Sequence, residues 1–227
     1  MSDHEIFVKE QLNRLPNVET SHRCPLRCPQ CTRAKLQRPK DTKGYREIKE
    51  RIVNGFDLPL HDAKKILNFF NDGVMLCGSI SDPVYWPYLY DFLEFSSKYP
   101  QKKIQIHTSA NQKNLDWYKK AFSLSHSNVY WKFGLDGLPD TSPIYRIGQD
   151  SDLIFSAMRL GSSMNINVSW QFIVFEHNKN QIDQAREIAK SHGIELHLIK
   201  TDRTGGGMEV PVEWRPARTK EIVYDII

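Results

Sequence analysis

Apolar residues recur at every second position in several short segments of the chain, a pattern typical of β-strands that bury one face. The clearest examples are residues 129–135 and 166–172, where apolar positions alternate with polar or small ones. Together with shorter apolar runs, the pattern predicts strands at 15–20, 73–77, 103–108, 129–136, 165–175 and 194–200.

Between these segments the apolar residues follow the period of an α-helix. Ala63, Ile66, Leu67 and Phe70 fall on one helical face, and Gly193 supplies a stop signal after another such stretch. Helices are predicted at 60–71, 84–98, 113–123, 150–161 and 180–192, with a less regular helical stretch after Cys31. Regular alternation of strands and helices is typical of parallel sheets joined by crossover helices.

The polar positions within the strands leave two architectures open. Parallel strands that are covered on both faces have nearly continuous apolar sequences, whereas these strands alternate apolar and polar residues. An antiparallel sheet with one wet face would explain the alternation, although the intervening helices argue against hairpins. The other interpretation, which we favour, is an α/β fold: an incompletely closed parallel (β/α)6 barrel of the partial TIM type, with helices outside and a polar, ligand-binding interior. Six units are too few for a closed eightfold barrel.

Composition adds only coarse limits. The chain has 227 residues, 40% hydrophobic and 26% charged, which fits one globular core at 1–204 followed by an irregular, glycine- and proline-containing tail at 205–227. No long apolar run or signal peptide is present, so we expect a cytoplasmic protein without a membrane partner. The net charge of +4 is scattered, with a mild basic cluster from Arg33 to Arg51.

Three of the four cysteines, Cys24, Cys28 and Cys31, form a C-x3-C-x2-C motif directly after the first predicted strand. Sparse cysteines in a cytoplasmic chain do not favour a disulfide framework, so ligation of a metal or cluster is the better interpretation. A structural zinc site completed by His22 or Cys77 remains the alternative.

The cysteine segment resembles the cluster-binding loop of the radical S-adenosylmethionine (SAM) superfamily. The resemblance implies that Cys24, Cys28 and Cys31 hold a 4Fe-4S cluster whose remaining iron binds SAM. It also implies reductive cleavage of SAM to methionine and a 5′-deoxyadenosyl radical, which abstracts hydrogen from a substrate. A one-electron donor, flavodoxin-like or ferredoxin-like, is then an expected partner, and residues 1–204 become a radical SAM core domain.

Further segments are similar to the family's SAM-binding motifs. Cys77 to Pro83 resembles its glycine-rich motif, which implies that the backbone of Gly78 and Ser79 meets the SAM amino group. Thr108 and Asp136, at the ends of two predicted strands, fall where the family binds the SAM ribose, although Gly134 replaces the usual serine. The resemblance also assigns Arg146 to the SAM carboxylate. On and just after the fifth predicted strand, Gln171 and Asn178 are our own candidates for contacts with the adenine or methionine part of SAM.

The substrate is not identified by these motifs. The chain resembles peptide- and protein-modifying members, but no cysteine follows Cys77 to build an auxiliary cluster. The predicted inner face favours a polar substrate, possible acids or bases being Lys132, His107, Gln171, Glu195 and His197. A non-catalytic zinc or iron–sulfur interaction module remains open, as does a nucleic-acid-modifying enzyme that uses the cluster from Arg33 to Arg51.

Overall fold

The computed structural model describes residues 15–36, 55–109 and 113–216. In this part of the chain five strands are present: β1 (Gly73–Leu76), β2 (Lys103–Thr108), β3 (Val129–Gly134), β4 (Asn167–Ile173) and β5 (Glu195–Ile199). The α-helices are α1 (Thr32–Leu36), α2 (Leu60–Phe69), α3 (Leu89–Ser96), α4 (Leu115–Ser123), α5 (Ser151–Ser163) and α6 (Ile182–Ser191).

The strands form one open sheet in the order β1-β2-β3-β4-β5, and every neighbouring pair is parallel. Each strand is joined to the next by a helix, from α3 after β1 to α6 after β4. The α/β class is confirmed, and the antiparallel alternative is wrong. The described residues hold five strands rather than the six predicted.

The missing strand is the predicted segment 15–20, which forms only a single parallel bridge between Asn17 and Met75. The ladder between this segment and β1 ends after that bridge, because the next hydrogen bonds go to other partners. The N–H of Cys77 donates to the side-chain oxygen of Asn17, 3.2 Å away, instead of to a backbone carbonyl. At Thr20 the backbone carbonyl accepts from Leu58, so the chain has already turned away from β1.

The predicted helix 84–98 is also shorter than expected. It divides into a 3-10 turn, Pro83–Tyr85, and the helix α3. Between them Trp86 is extended, with ψ at 121°. Pro87 explains the break, because a proline disfavours helical backbone at the residue before it.

Alternation along the strands separates two environments. On one face lie large buried rings packed against the helices, such as Trp131 of β3, whose ring centroid is 5.3 Å from that of Phe122 in α4. On the other face His107, Lys132 and Gln171 are only half-buried. The sheet therefore has one apolar face in the core and one polar face, as the alternation predicts.

After β5 the described residues of the tail contain a bridge between Gly205 and Met208 and a 3-10 turn, Val212–Trp214. Met208 and Val210 are buried in a second apolar cluster with Leu26 and Cys28 of the cysteine loop. The longest helix described, α5, has 13 residues, and no helix of the described residues has the length and apolarity that a membrane span requires.

Candidate functional site

A cavity of about 270 Å³ opens at the carboxyl ends of β1 to β4. Such ends share one rim in a parallel sheet, which is why residues distant in sequence meet there. Eight of the nine residues predicted for the site line this cavity: Cys24, Cys28, Cys31, Gly78, Ser79, Thr108, Arg146 and Gln171. Asp136 lies behind the wall and is fully buried.

The cysteine loop is anchored to its surroundings by backbone hydrogen bonds. The carbonyl of Arg23 accepts from the N–H of Asp82 at 2.9 Å, and the N–H of Arg27 donates to the carbonyl of Ile147 at 2.9 Å. Arg33 of α1 donates to the carbonyls of His22 and Ile80. These contacts bind the loop to the segments that follow β1 and β3, so the thiols are held at the cavity.

The thiols lie in an apolar environment. Leu26 and Met208 are among the side chains packed around them. Burial, with the nearby carboxylate of Asp82, raises the pKa of the Cys24 thiol to about 12. Burial likewise raises the pKa of Cys28 to about 11, against the opposing charge of Arg146. In the protein alone these two thiols are therefore protonated at neutral pH, and a bound metal is what would favour their thiolates.

The segment after β1 is shaped by Gly78 and held by Glu19. A Cβ on Gly78 would lie 2.5 Å from the backbone oxygen of Ser81, so this close approach requires glycine. The carboxylate of Glu19 accepts from the N–H of Ser79 at 2.8 Å and from the hydroxyl of Ser81. The carbonyl of Ser79 is 4.0 Å from the sulfur of Cys31, which places this backbone beside the cysteine loop.

Asp82 joins that segment to the end of β2. One of its carboxylate oxygens accepts from the Thr108 hydroxyl at 2.7 Å, and the other accepts from the N–H of Ser109 at 2.8 Å. Thr108 is buried and engaged in this contact. A contact between Thr108 and the SAM ribose stays a prediction.

Arg146 and Asp136 form a buried ion pair, with the Nε of Arg146 2.7 Å from the Oδ2 of Asp136. The other carboxylate oxygen of Asp136 accepts from the N–H of Ile173, and the Nη1 of Arg146 donates to the Ser109 hydroxyl. Burial disfavours the charged guanidinium, but the Asp136 carboxylate outweighs that effect and raises the Arg146 pKa. The guanidinium thus stays charged, and the pair positions the ends of β2, β3 and β4.

Gly134 stands where the resemblance to the radical SAM superfamily leads us to expect a serine, and the structure gives a reason for the glycine. A Cβ there would lie 2.4 Å from the Oγ of Ser109 and 2.8 Å from the Nη2 of Arg146. The ion pair and its serine partner occupy the space that a serine side chain would need. Glycine at this position is therefore linked to the placement of Arg146.

No family model and no curated protein matches the sequence. Solved structures do match. The SuiB protein of Streptococcus suis bound to S-adenosylmethionine is 13% identical and has a TM-score of 0.65 over 92% of this chain and 47% of its own. SuiB bound to the precursor peptide SuiA is 15% identical, with a TM-score of 0.64 over 86% and 42%.

A third match is anSMEcpe with bound AdoMet and the Kp18Cys peptide, 14% identical, with a TM-score of 0.59 over 88% of this chain and 56% of its own. SuiB and anSMEcpe are radical SAM enzymes. The chain has the radical SAM fold. It spans about half the length of these solved structures. The predicted resemblance is therefore confirmed at the level of the fold.

The donor set at the cavity fits the cluster implied by the radical SAM fold. Three thiols from one loop reach the same cavity, and thiolates are the ligands that iron–sulfur clusters take. Within the described residues no three Cys, His, Asp or Glu side chains converge on a single ion. A cubane does not need such convergence, because each thiolate binds a different iron.

Sequence reasoning missed the structural contacts made by Glu19, Asp82 and Ser109. Glu19 precedes the cysteine motif and Asp82 follows the glycine-rich segment, so both could have been suspected as acids beside a radical SAM motif. Ser109 gave no signal of its own. The predicted basic cluster from Arg33 to Arg51 lies mostly outside the described residues.

Proposed function

We propose that the chain is a radical SAM enzyme that holds a 4Fe-4S cluster and SAM at the cavity and abstracts hydrogen from a polar substrate. The observation that carries the proposal is the meeting of the three motif thiols with the Gly78–Ser79 backbone in one cavity. When bound and reduced, the cluster would supply the electron that cleaves SAM to methionine and a 5′-deoxyadenosyl radical.

In this proposal the chain's own residues bind and orient. Cys24, Cys28 and Cys31 ligate the cluster, and the apolar side chains around them limit the access of water. Glu19 fixes the segment that meets the SAM amino group, through its hydrogen bonds to Ser79 and Ser81. A preformed backbone loses less freedom on binding, which favours affinity.

Arg146 fits a role beside SAM only in part. Its Nε and Nη1 are engaged by Asp136 and Ser109, while the residue still lines the cavity. We propose that Arg146 contributes positive charge near the SAM carboxylate from this fixed position. Thr108 keeps its proposed role beside the ribose, which Asp136 supports from behind the wall. Gln171 is proposed to contact either the adenine or methionine part of SAM or the substrate beside it.

A peptide or protein is one proposed substrate class, and a polar small molecule is the other. SuiB was solved with the precursor peptide SuiA, and anSMEcpe with the Kp18Cys peptide. The half-buried polar side chains of the inner sheet face suit either class. The proposal includes a flavodoxin-like or ferredoxin-like electron donor and a cytoplasmic location.

The proposal is tested by measuring 5′-deoxyadenosine after anaerobic reconstitution, reduction and addition of SAM. Wild-type protein should form it and Cys28→Ala should not. Cys77→Ala is the matched control, because Cys77 lines the same cavity outside the motif and should leave iron and sulfide content unchanged. Absence of 5′-deoxyadenosine from iron-loaded wild-type protein would overturn the proposal.

Salt-dependent RNA binding that is lost when Lys35, Arg38 and Lys40 are replaced would instead favour a nucleic-acid substrate.

A further inference from the structure

Three polar side chains from neighbouring strands line the cavity on the inner face of the sheet: His107 of β2, Lys132 of β3 and Gln171 of β4. His107 is the register partner of Lys132, and Gln171 is the partner of Gly134, two residues beyond Lys132 on the same strand. Side chains two residues apart share a face, so the three point to one region.

The polar groups of these three side chains have no hydrogen-bond or ion-pair partner in the part of the chain that the structure describes. The Nε2 of His107 is buried and makes no hydrogen bond. Among the described residues, no hydrogen bond or ion pair is made by the Lys132 ammonium or by the Gln171 side-chain amide. Glu195, the nearest acid in register, pairs instead with His197 at 3.3 Å. The buried, unsatisfied Nε2 of His107 costs free energy, which a hydrogen bond to a ligand would offset.

The other charged side chains on the cavity wall have contacts within the chain, and Arg203 donates to the Tyr145 hydroxyl at 3.0 Å. Asp82 accepts from Thr108 and the Ser109 backbone, and Arg146 pairs with Asp136. Among the described residues of the strands that line the cavity, the charged side chain is that of Lys132. Burial, with the charges of Lys132 and His197, lowers the pKa of His107 to about 4, so the imidazole is neutral at pH 7 and able to donate one hydrogen bond.

We propose that Lys132, His107 and Gln171 form a subsite for an anionic group of the substrate, a carboxylate or a phosphate. Lys132 supplies the charge, and the imidazole and the amide each donate a hydrogen bond to an anion oxygen. Charge-assisted hydrogen bonds of this kind are the strong ones, which makes Lys132 the main determinant of affinity. The assignment to the substrate rests on the proposed function. The carboxylate of SAM is the competing occupant.

Calorimetric titration of the anaerobically reconstituted full chain tests the subsite. The probes are glutarate and inorganic phosphate, each titrated with and without saturating SAM. We expect one of them to bind saturably with SAM present, and Lys132→Gln to weaken that binding about tenfold or more. His107→Gln should weaken it less. The matched control is Lys119→Gln, an exposed lysine on α4 outside the cavity.

A second variant guards against loss of folding. Lys132→Arg keeps the charge and should retain binding to within a few fold, while both Lys132 variants should keep the thermal midpoint within about 2 °C of wild type. The preferred probe distinguishes a carboxylate from a phosphate. Three results would each overturn the inference. SAM could abolish binding of the probe, Lys132→Gln could weaken the binding of SAM as much as that of the probe, or neither probe could bind saturably.

The calorimetric result is independent of radical formation. Wild-type protein that binds a probe through Lys132 but forms no 5′-deoxyadenosine would overturn the proposed function and keep the anion subsite. Protein that forms 5′-deoxyadenosine but binds neither probe would keep the proposed function and overturn the anion subsite.

Discussion

The ion pair between Arg146 and Asp136 offers the sharpest test of how the cavity is built. Asp136 is fully buried and Arg146 is 8% exposed, with 2.7 Å between the Nε and the Oδ2. Replacing Asp136 by Asn keeps the size of the side chain. It removes the negative charge that compensates the guanidinium. It also turns an amide NH2 group toward an N–H donor, because both oxygens of Asp136 accept hydrogen bonds, one from Arg146 and one from Ile173.

The expected cost follows from that burial. Removing one partner of a buried ion pair costs about 3 to 5 kcal/mol, because the other charge stays buried and uncompensated. For a chain of 227 residues each kcal/mol shifts the melting temperature by about 2 to 4 °C. Asp136→Asn should therefore lower the melting temperature by about 6 to 20 °C.

Thermal and urea unfolding, followed by circular dichroism, measure this effect. The double variant Asp136→Asn, Arg146→Met removes both charges, and we expect it to lose about 1 to 3 kcal/mol less than the sum of the two single variants. A cost below about 1 kcal/mol for Asp136→Asn, or strict additivity of the single variants, would refute the structural role given to the pair.

Three further outcomes follow from the same contacts. Gly134→Ser should destabilise the fold by about 1 to 3 kcal/mol in urea unfolding, because its Cβ would lie 2.8 Å from the Nη2 of Arg146; unchanged stability would contradict that crowding. Glu19→Gln should weaken SAM binding in equilibrium dialysis about tenfold, since a carboxylate accepts more strongly than an amide, and equal affinity would remove Glu19 from the site. Because burial raises the pKa values of Cys24 and Cys28 to about 12 and about 11, few thiolates exist at pH 8 in cluster-free protein, so iodoacetamide should label both far more slowly than free cysteine; labelling at the free rate would contradict this.

The sheet could be predicted because its physical signal is local. Alternation along 103–108 and 129–136 marks which side chains face the helices, and the structure places β2 and β3 within those bounds. The same alternation predicted the polar inner face on which Lys132 lies. The spacing of the C-x3-C-x2-C motif predicted that three thiols would be close together, and all three reach the cavity.

The unpredicted features depend on contacts between distant segments. The segment 15–20 looks like a strand, but the Asn17 side chain takes the hydrogen bond that the next strand residue would need. No local sequence pattern indicates an ion-pair partner for Arg146, and the fold brings the Asp136 carboxylate to its Nε. Glu19 binds backbone groups about 60 residues away, which no local pattern records.

Iron and acid-labile sulfide per chain, together with the electron paramagnetic resonance spectrum of the reduced protein with and without SAM, test the central claim most directly. The account requires about four irons and four sulfides and a spectrum that changes when SAM is added, since SAM would bind the iron that no cysteine holds. One tightly bound zinc without sulfide, or a cluster spectrum unaffected by SAM, would contradict it.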